Sequence, residues 1–157
     1  MRRYRWLGLI VGGLVVWGLW SSRTPNAPRP QQRELLLDRL WIERLPRSER
    51  DKFHLFVALF QNQVGMFLYQ SLWEGEWTGF QWHFRQGDER LHLRFPQTGQ
   101  TAAIEWKITR SDRPGFDYCL TMKGNPRGPH RWYSKRGWEI RSLGEVRGQL
   151  PPFLSGL

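Results

Sequence analysis

After residue 35, apolar and polar residues alternate in short runs that are separated by turn-forming residues. Alternation with a period of two is typical of strands that have one buried face and one wet face. The pattern predicts eight strands, at residues 35–45, 52–60, 64–73, 77–86, 89–96, 101–110, 115–123 and 130–140. The first has a competing interpretation as a helix, because Leu36, Leu37, Leu40 and Trp41 also fit a period of 3.6 residues.

The segment around Gly87 predicts a hairpin and its register. A two-residue turn at Gly87–Asp88 pairs Phe84 with Leu91, Trp82 with Leu93 and Phe80 with Phe95. Every apolar residue then meets another apolar residue, so the register is self-consistent.

Strands 52–60 and 64–73 differ from the others because they are apolar on both faces. In the first of them one face carries Phe53, Leu55, Val57 and Leu59, and the other carries Phe56, Ala58 and Phe60. We therefore expect a second cover over these strands, and a partner chain, the C-terminal tail and residues 35–45 are all open as candidates.

Eight short strands joined by short turns predict an all-β, antiparallel up-and-down meander that closes into a barrel. In strand number and order, residues 35–140 resemble the lipocalin and fatty-acid-binding superfamily. Arg39-Leu40-Trp41 has the tryptophan of that family's Gly-x-Trp signature but not its glycine. The resemblance implies a ligand-binding role, and a closing arginine over Trp41 at Arg136 or Arg141.

The first 22 residues predict a membrane anchor. An uncharged apolar run from Trp6 to Trp20 follows Arg2, Arg3 and Arg5. The 15 residues of this run span about 22 Å as a helix. Including residues 4–22 gives about 28 Å, close to the ~30 Å hydrocarbon core of a bilayer. A cleaved signal peptide and a buried soluble helix are the alternatives, although the junction after Ser21 is a poor cleavage site.

The arginines before the run outnumber those after it, so the positive-inside rule predicts a single-pass inner-membrane protein. Its folded domain would lie on the periplasmic or extracytoplasmic side. Three prolines and no large apolar residue predict an extended linker at 23–34. The β-barrel domain then takes residues 35–141, and glycines and prolines predict a flexible tail at 142–157.

The formal net charge of +10 is concentrated at the N-terminus. Residues 1–33 hold six arginines and no acidic residue. High basicity is therefore mainly a topology signal, and we expect no nucleic-acid partner. The one cysteine, Cys119, excludes an internal disulfide and is expected to be structural.

The inward-facing side chains of the predicted barrel form the candidate ligand site. They are Phe80, Trp82, Phe84, Leu93, Trp106, Phe116 and Tyr118. The same rings would fill a packed core equally well, so both interpretations remain open.

The opposite, polar face carries a candidate anion patch. Its members are His83, Arg85, Arg90, His92 and Arg94. Lipid phosphate or an acidic envelope polymer would suit such a patch. A metal held by the two histidines and Glu105 is a weaker alternative, because the three arginines repel cations. A plain solvated sheet face is the third.

No catalytic, cofactor or metal motif is present in the sequence. The rigid segment 124–129 is open as a recognition loop or a strand connector. We therefore expect a non-catalytic, membrane-tethered barrel that binds a lipid-like or apolar ligand. The alternative is a protein-interaction or structural module of a cell-envelope complex.

Overall fold

The computed structural model describes residues 30–71 and 75–146. Within these two ranges one helix, α1, precedes eight strands, and a 3₁₀ helix follows them. The helix is Pro30–Leu36, and the strands are β1 (Trp41–Ile42), β2 (Phe53–Leu59), β3 (Val64–Gln70), β4 (Gly75–Arg85), β5 (Asp88–Arg94), β6 (Thr101–Arg110), β7 (Tyr118–Lys123) and β8 (Arg131–Ser134); the 3₁₀ helix is Leu143–Glu145.

The strands form a closed barrel in which each strand pairs with its neighbour in the sequence. All the pairings are antiparallel, and β8 returns to β1 through Ile42 and Tyr133. The predicted all-β, eight-stranded up-and-down barrel is therefore confirmed. Closure leaves no long edge strand open to further pairing.

The prediction of a strand over residues 35–45 is wrong for most of that segment. Helix α1 ends at Leu36 and only Trp41–Ile42 is extended into β1. The helical alternative is right only for Leu35 and Leu36, because the residues from Leu37 to Leu40 are not helical. Leu36 and Leu37 pack into the barrel core. The helix also covers residues 30–34, which had been predicted to be extended linker.

Helix α1 defines one end of the barrel, which we call the closed end. The turns after β2, β4 and β6 lie at this end because consecutive strands are antiparallel. The indole Nε1 of Trp41 donates a hydrogen bond to the carbonyl of Leu36 at 3.1 Å, which ties the helix to β1. The other end, where the turns after β1, β3, β5 and β7 lie, is the open end.

The β4–β5 hairpin has the predicted register over its length. Trp82 pairs with Leu93, His83 with His92, and Phe84 with Leu91. The turn itself lies one residue earlier than predicted. A bulge after Phe84 pairs Arg85 with Asp88 and leaves Gln86–Gly87 at the tip. Gly87 has φ +75°, which favours glycine at that position.

The inward-facing side chains form one continuous core. Its largest members include Trp41, Phe56, Phe67, Phe80, Phe95 and Trp132, each no more than 5% exposed. Gly65 makes room for them, since a Cβ placed there would lie 2.3 Å from the ring of Phe80. An aromatic ring on β4 therefore occupies the space that a side chain on β3 would have taken.

A second core covers the outer face of β2. Phe53, Leu55, Val57 and Leu59 are buried there against residues that follow β8, which include Trp138, Ile140 and Val146. The chain itself thus supplies the cover that the doubly apolar strand required, from its C-terminal segment and from Leu40 and Ile42 of the first segment. The strand predicted at 130–140 ends at Ser134, and the described part of the predicted tail, residues 142–146, packs against this core.

The predicted anchor lies outside the described residues, and so does the last part of the predicted tail. Within residues 30–71 and 75–146, no helix has the length and apolar character needed to cross a bilayer.

Replacing Gly65 with alanine should destabilise the barrel. The added methyl group would lie 2.3 Å from the Phe80 ring and 2.4 Å from the Val57 carbonyl oxygen, which is backbone and cannot swing away. We expect a loss of about 2–3 kcal/mol in the free energy of unfolding. Urea unfolding of the detergent-solubilised chain would measure it.

Gly144→Ala is the matched control for that substitution. Its nearest neighbour would be the Ser142 hydroxyl at 3.8 Å, so a change within about 0.5 kcal/mol is expected. Equal stability of the two variants would show that the β3–β4 contact is not tight.

Candidate functional site

Three of the predicted ligand residues lie in the packed core. Phe80, Trp82 and Leu93 are 2%, 4% and 1% exposed. The Phe80 ring lies 5.0 Å from that of Phe67 and 6.2 Å from that of Phe95, measured between ring centroids. Rings in contact on several sides act as core, so the centre of the barrel corresponds to the packed-core interpretation.

Three more of the predicted residues are half-buried at or near the closed end. Phe84 and Trp106 are in contact, with ring centroids 6.0 Å apart, and Tyr118 stands at the start of β7. The guanidinium group of Arg33 on α1 lies 4.5 Å from the Phe84 centroid. These rings face inward but remain partly accessible beside α1.

Phe116 was wrongly assigned to the barrel interior. It precedes β7 and packs in the outer core, against Tyr133 at 5.3 Å and Trp138 at 6.1 Å between centroids. The alternation that includes Tyr118 does not extend back to it, because the strand begins only at Tyr118.

A polar corner adjoins Tyr118, and sequence reasoning missed it. Arg39 is 4% exposed, and its guanidinium group lies 4.9 Å from the Tyr118 ring centroid. Ser134 is fully buried and pairs directly with Tyr118 across β7 and β8. The local sequence pattern does not show that Arg39 is buried, so this corner could not be predicted from the sequence.

Two polar atoms in this corner lack a hydrogen-bond partner among the described residues. They are Nε of Arg39 and Oγ of Ser134. The other guanidinium nitrogens of Arg39 are satisfied: one donates to the carbonyl of Lys135 at 2.5 Å, and another pairs with Glu139. Neither Arg136 nor Arg141, the predicted closing arginines, is buried.

The predicted anion patch lies together on the outer face of β4 and β5, but it is partly neutralised. The carboxylate of Asp88, absent from the prediction, accepts hydrogen bonds from Nε and a terminal nitrogen of Arg90 at 3.0 Å each. The second Asp88 oxygen lies 2.7 Å from Nε2 of His92. Arg90 and His92 therefore already have an anionic partner within the protein, the carboxylate of Asp88.

The two histidines of the patch stack on each other. Their ring centroids are 5.2 Å apart, and His92 is 7% exposed. No group of three or more residues able to hold a metal occurs among those that the structure describes, so Glu105 does not complete a site with the histidines. Of the arginines, Arg85 and Arg94 enter none of the ion pairs between described residues.

Hydrogen bonding holds the pKa of the Asp88 carboxyl well below its usual range. The side-chain hydrogen bond from Arg90 is the largest cause, and the backbone N–H of Arg90 adds to it. The same contact raises the pKa of Arg90. Burial raises the pKa of the Cys119 thiol, which favours the protonated form and agrees with a structural role for that cysteine.

A row of polar residues at the open end also escaped sequence reasoning. Nδ1 of His54 lies 2.8 Å from a Glu43 carboxylate oxygen, and the His54 ring stacks on Tyr69 with centroids 4.5 Å apart. Glu76 pairs with Tyr69 on the next strand. Glu43 and His54 are 11 positions apart, and only the β1–β2 pairing brings them together.

Asp88→Asn should reduce stability in a pH-dependent way. A carboxyl whose pKa is lowered by folding contributes stability that is present above its unfolded pKa of about 4 and is lost as pH falls toward the folded value. The difference in unfolding free energy between wild type and variant should therefore persist at pH 7 and pH 5 and shrink by pH 3. Urea unfolding at these three pH values measures it, and a constant difference down to pH 3 would contradict the assignment.

No known protein-family model matches the chain, and no curated protein or solved structure is similar to it. The closed eight-stranded antiparallel barrel is consistent with the architecture of the lipocalin-like proteins, and this likeness is one of architecture alone.

Proposed function

We propose that this chain is a membrane-tethered, non-catalytic β-barrel that binds an amphipathic, acidic ligand of the fatty-acid type at its closed end. One observation supports this function: beside Tyr118, the buried Arg39 Nε and Ser134 Oγ have no hydrogen-bond partner among the residues that the structure describes.

The unsatisfied corner suits an oxygen-rich anionic group. Leaving a buried donor without a partner costs about 1–3 kcal/mol, and a hydrogen bond to a carboxylate would recover that cost. A carboxylate is an acceptor for both the guanidinium Nε–H of Arg39 and the hydroxyl of Ser134. The positive charge of Arg39 is shared with Glu139, so an incoming monoanion would be favoured over a dianion.

The apolar part of the ligand would follow the half-buried inner rings beside α1. Phe84 and Trp106 present apolar surface there, together with Leu35 on the helix. The centre of the barrel is filled by contacting rings, so deeper entry would require displacing them. The proposed site is therefore at the rim, and Phe80, Trp82 and Leu93 support it without touching the ligand.

The sequence supports a location beside a membrane. The apolar run from Trp6 to Trp20, preceded by three arginines, fits a single-pass anchor with the domain on the extracytoplasmic side of an inner membrane. Amphipathic acids partition into bilayers, so a tethered domain would encounter them at high local concentration. Because α1 follows the predicted anchor in the sequence, we propose that the closed end is the one that faces the membrane.

The alternative role as an interaction module of an envelope complex loses part of its support. That role was inferred from apolar residues on both faces of residues 52–60 and 64–73. The outer face of β2 is buried by the chain's own residues after β8, so no partner is needed to cover it.

Binding of carboxyl-¹³C-labelled laurate to the full chain in nanodiscs would test the ligand site. We expect a ¹³C resonance from bound carboxylate that is distinct from the bilayer-dissolved pool, and no binding of methyl laurate, which lacks the charge. Arg39→Met should weaken laurate binding by roughly tenfold to a hundredfold, the range for a lost charge-assisted hydrogen bond.

Two further variants serve as controls for that measurement. Arg136→Met removes an exposed arginine just after β8 and should leave binding unchanged. Ser134→Ala removes one donor without touching the charge and should have a smaller effect than Arg39→Met, with the fold checked by circular dichroism. Unchanged laurate binding in a folded Arg39→Met chain would overturn the proposed site.

A further inference from the structure

We infer that the open end of the barrel binds a linear acidic polysaccharide through four exposed cationic side chains, which we call the end patch. Its members are Arg94, Lys123, Arg127 and Arg131. This site is distinct from the proposed ligand site, which lies at the opposite end of the barrel.

The up-and-down topology gathers the end patch from separate parts of the chain. Arg94 ends β5, Lys123 ends β7 and Arg131 begins β8, and all three positions are at the open end. Arg127 lies in the β7–β8 connection, and its guanidinium group is 5.9 Å from the ring centroid of Phe95, just beyond β5. Phe95 and Arg127 are far apart in sequence, yet the barrel brings these segments together.

The end patch is free of acidic residues over both contributing segments. Residues 93–104 and 118–132 contain no aspartate or glutamate. Among the ion pairs between described residues, none involves a member of the patch. The nearest acids by register lie at two margins of the patch. Glu105 pairs across strands with Lys123, and Glu43 follows Ile42, the β1 partner of Tyr133. The electrostatic potential here is therefore set mainly by cations.

The loop that carries Arg127 is held in one shape. The side-chain oxygen of Asn125 accepts a hydrogen bond from the Arg127 backbone N–H at 3.1 Å, and its amide donates to the Pro129 carbonyl. Gly128 has φ +77° and packs so closely on Trp132 that an added Cβ would lie 2.8 Å from the indole. A preordered loop loses little conformational entropy when it binds, which favours a recognition role over that of a passive connector.

The position of the end patch argues against the protein's own membrane as its partner. A seven-residue strand such as β5 is about 23 Å long, or roughly 18 Å along the axis of a tilted barrel. The patch is thus separated by about twice the Debye length of ~8 Å from the closed end, which faces the membrane in the proposed function. Attraction to the headgroups of that bilayer would be screened.

The surface chemistry favours a polysaccharide over nucleic acid or an acidic protein. Single-stranded nucleic acids stack their bases on exposed rings, whereas the rings beneath the patch are buried: Phe95 is 1% exposed and Trp132 is 0%. Protein interfaces have an apolar centre. The exposed large apolar residues of the described chain are Phe60, Tyr69 and Trp77. Tyr69 and Trp77 are at the open end on β3 and β4, outside the two patch segments.

Polygalacturonate binding to the full chain in nanodiscs of neutral lipid would test the inference. The double variant Arg94→Gln/Arg127→Gln should bind at least fivefold more weakly than wild type at 50 mM salt. The slope of log affinity against log salt is negative, and its magnitude should decrease by up to about two, near one for each cation removed. Biolayer interferometry on captured nanodiscs measures both quantities.

The matched control is Arg47→Gln/Arg50→Gln. It removes the same charge from exposed arginines in the β1–β2 connection, also at the open end, but in a loop that contains Glu49 and Asp51. We expect binding within twofold of wild type. Equal losses in the two double variants would overturn the end patch, since they would indicate a general charge effect.

Binding of three other kinds of polyanion is compared with binding of polygalacturonate. Tighter binding to an oligonucleotide, to polyglutamate or to phosphatidylglycerol vesicles than to polygalacturonate at matched charge would overturn the assignment to polysaccharide. Laurate binding is read separately at the other end of the barrel, so loss of one activity with retention of the other identifies which proposal has failed.

Discussion

Closure of the barrel depends on a short segment between α1 and β1. Asp38, with φ +50°, turns the chain out of the helix, and its backbone N–H donates to Ala58 on β2 at 2.8 Å. Its carbonyl accepts from Ile140 and its carboxylate accepts from the Phe60 N–H, both at 2.8 Å. One residue thus joins the helix, the second strand and the C-terminal segment. Because β1 has only two residues, these bonds supplement the ladder that seals the sheet.

The way in which the barrel is filled determines where it can act. Aromatic rings from β2, β3, β4 and β8 meet at its centre, and the glycine at position 65 lets them approach closely. An interior filled in this way gives rigidity but little free space. Binding of other molecules is therefore expected at the two ends, where the strands stop and side chains contact groups from outside the sheet. The buried Arg39 corner and the cationic end patch are both of this kind.

The alternation of apolar and polar residues predicted the strands well wherever one face of a strand is exposed to solvent and the other is buried. The register of β4 with β5 followed from matching Trp82 with Leu93, because a shift by one residue would have turned every ring toward water. The same reasoning failed for Phe116, which lies just outside its strand and packs in a second core. It failed again over residues 35–45, where a helical and an extended period coincided and only packing inside the barrel distinguished them.

The sequence by itself determined the number and order of the strands and most of the side chains that point inward, since these depend on local periodicity and turn residues. It also determined that the outer face of β2 needed a cover. Only the tertiary structure decided which segment supplies that cover, that Asp88 engages Arg90 and His92, and that Arg39 is buried beside Ser134. The physical reason is that partners in charge and hydrogen bonding are chosen by three-dimensional proximity. A closed barrel brings together residues such as 39 and 134 that are nearly a hundred positions apart.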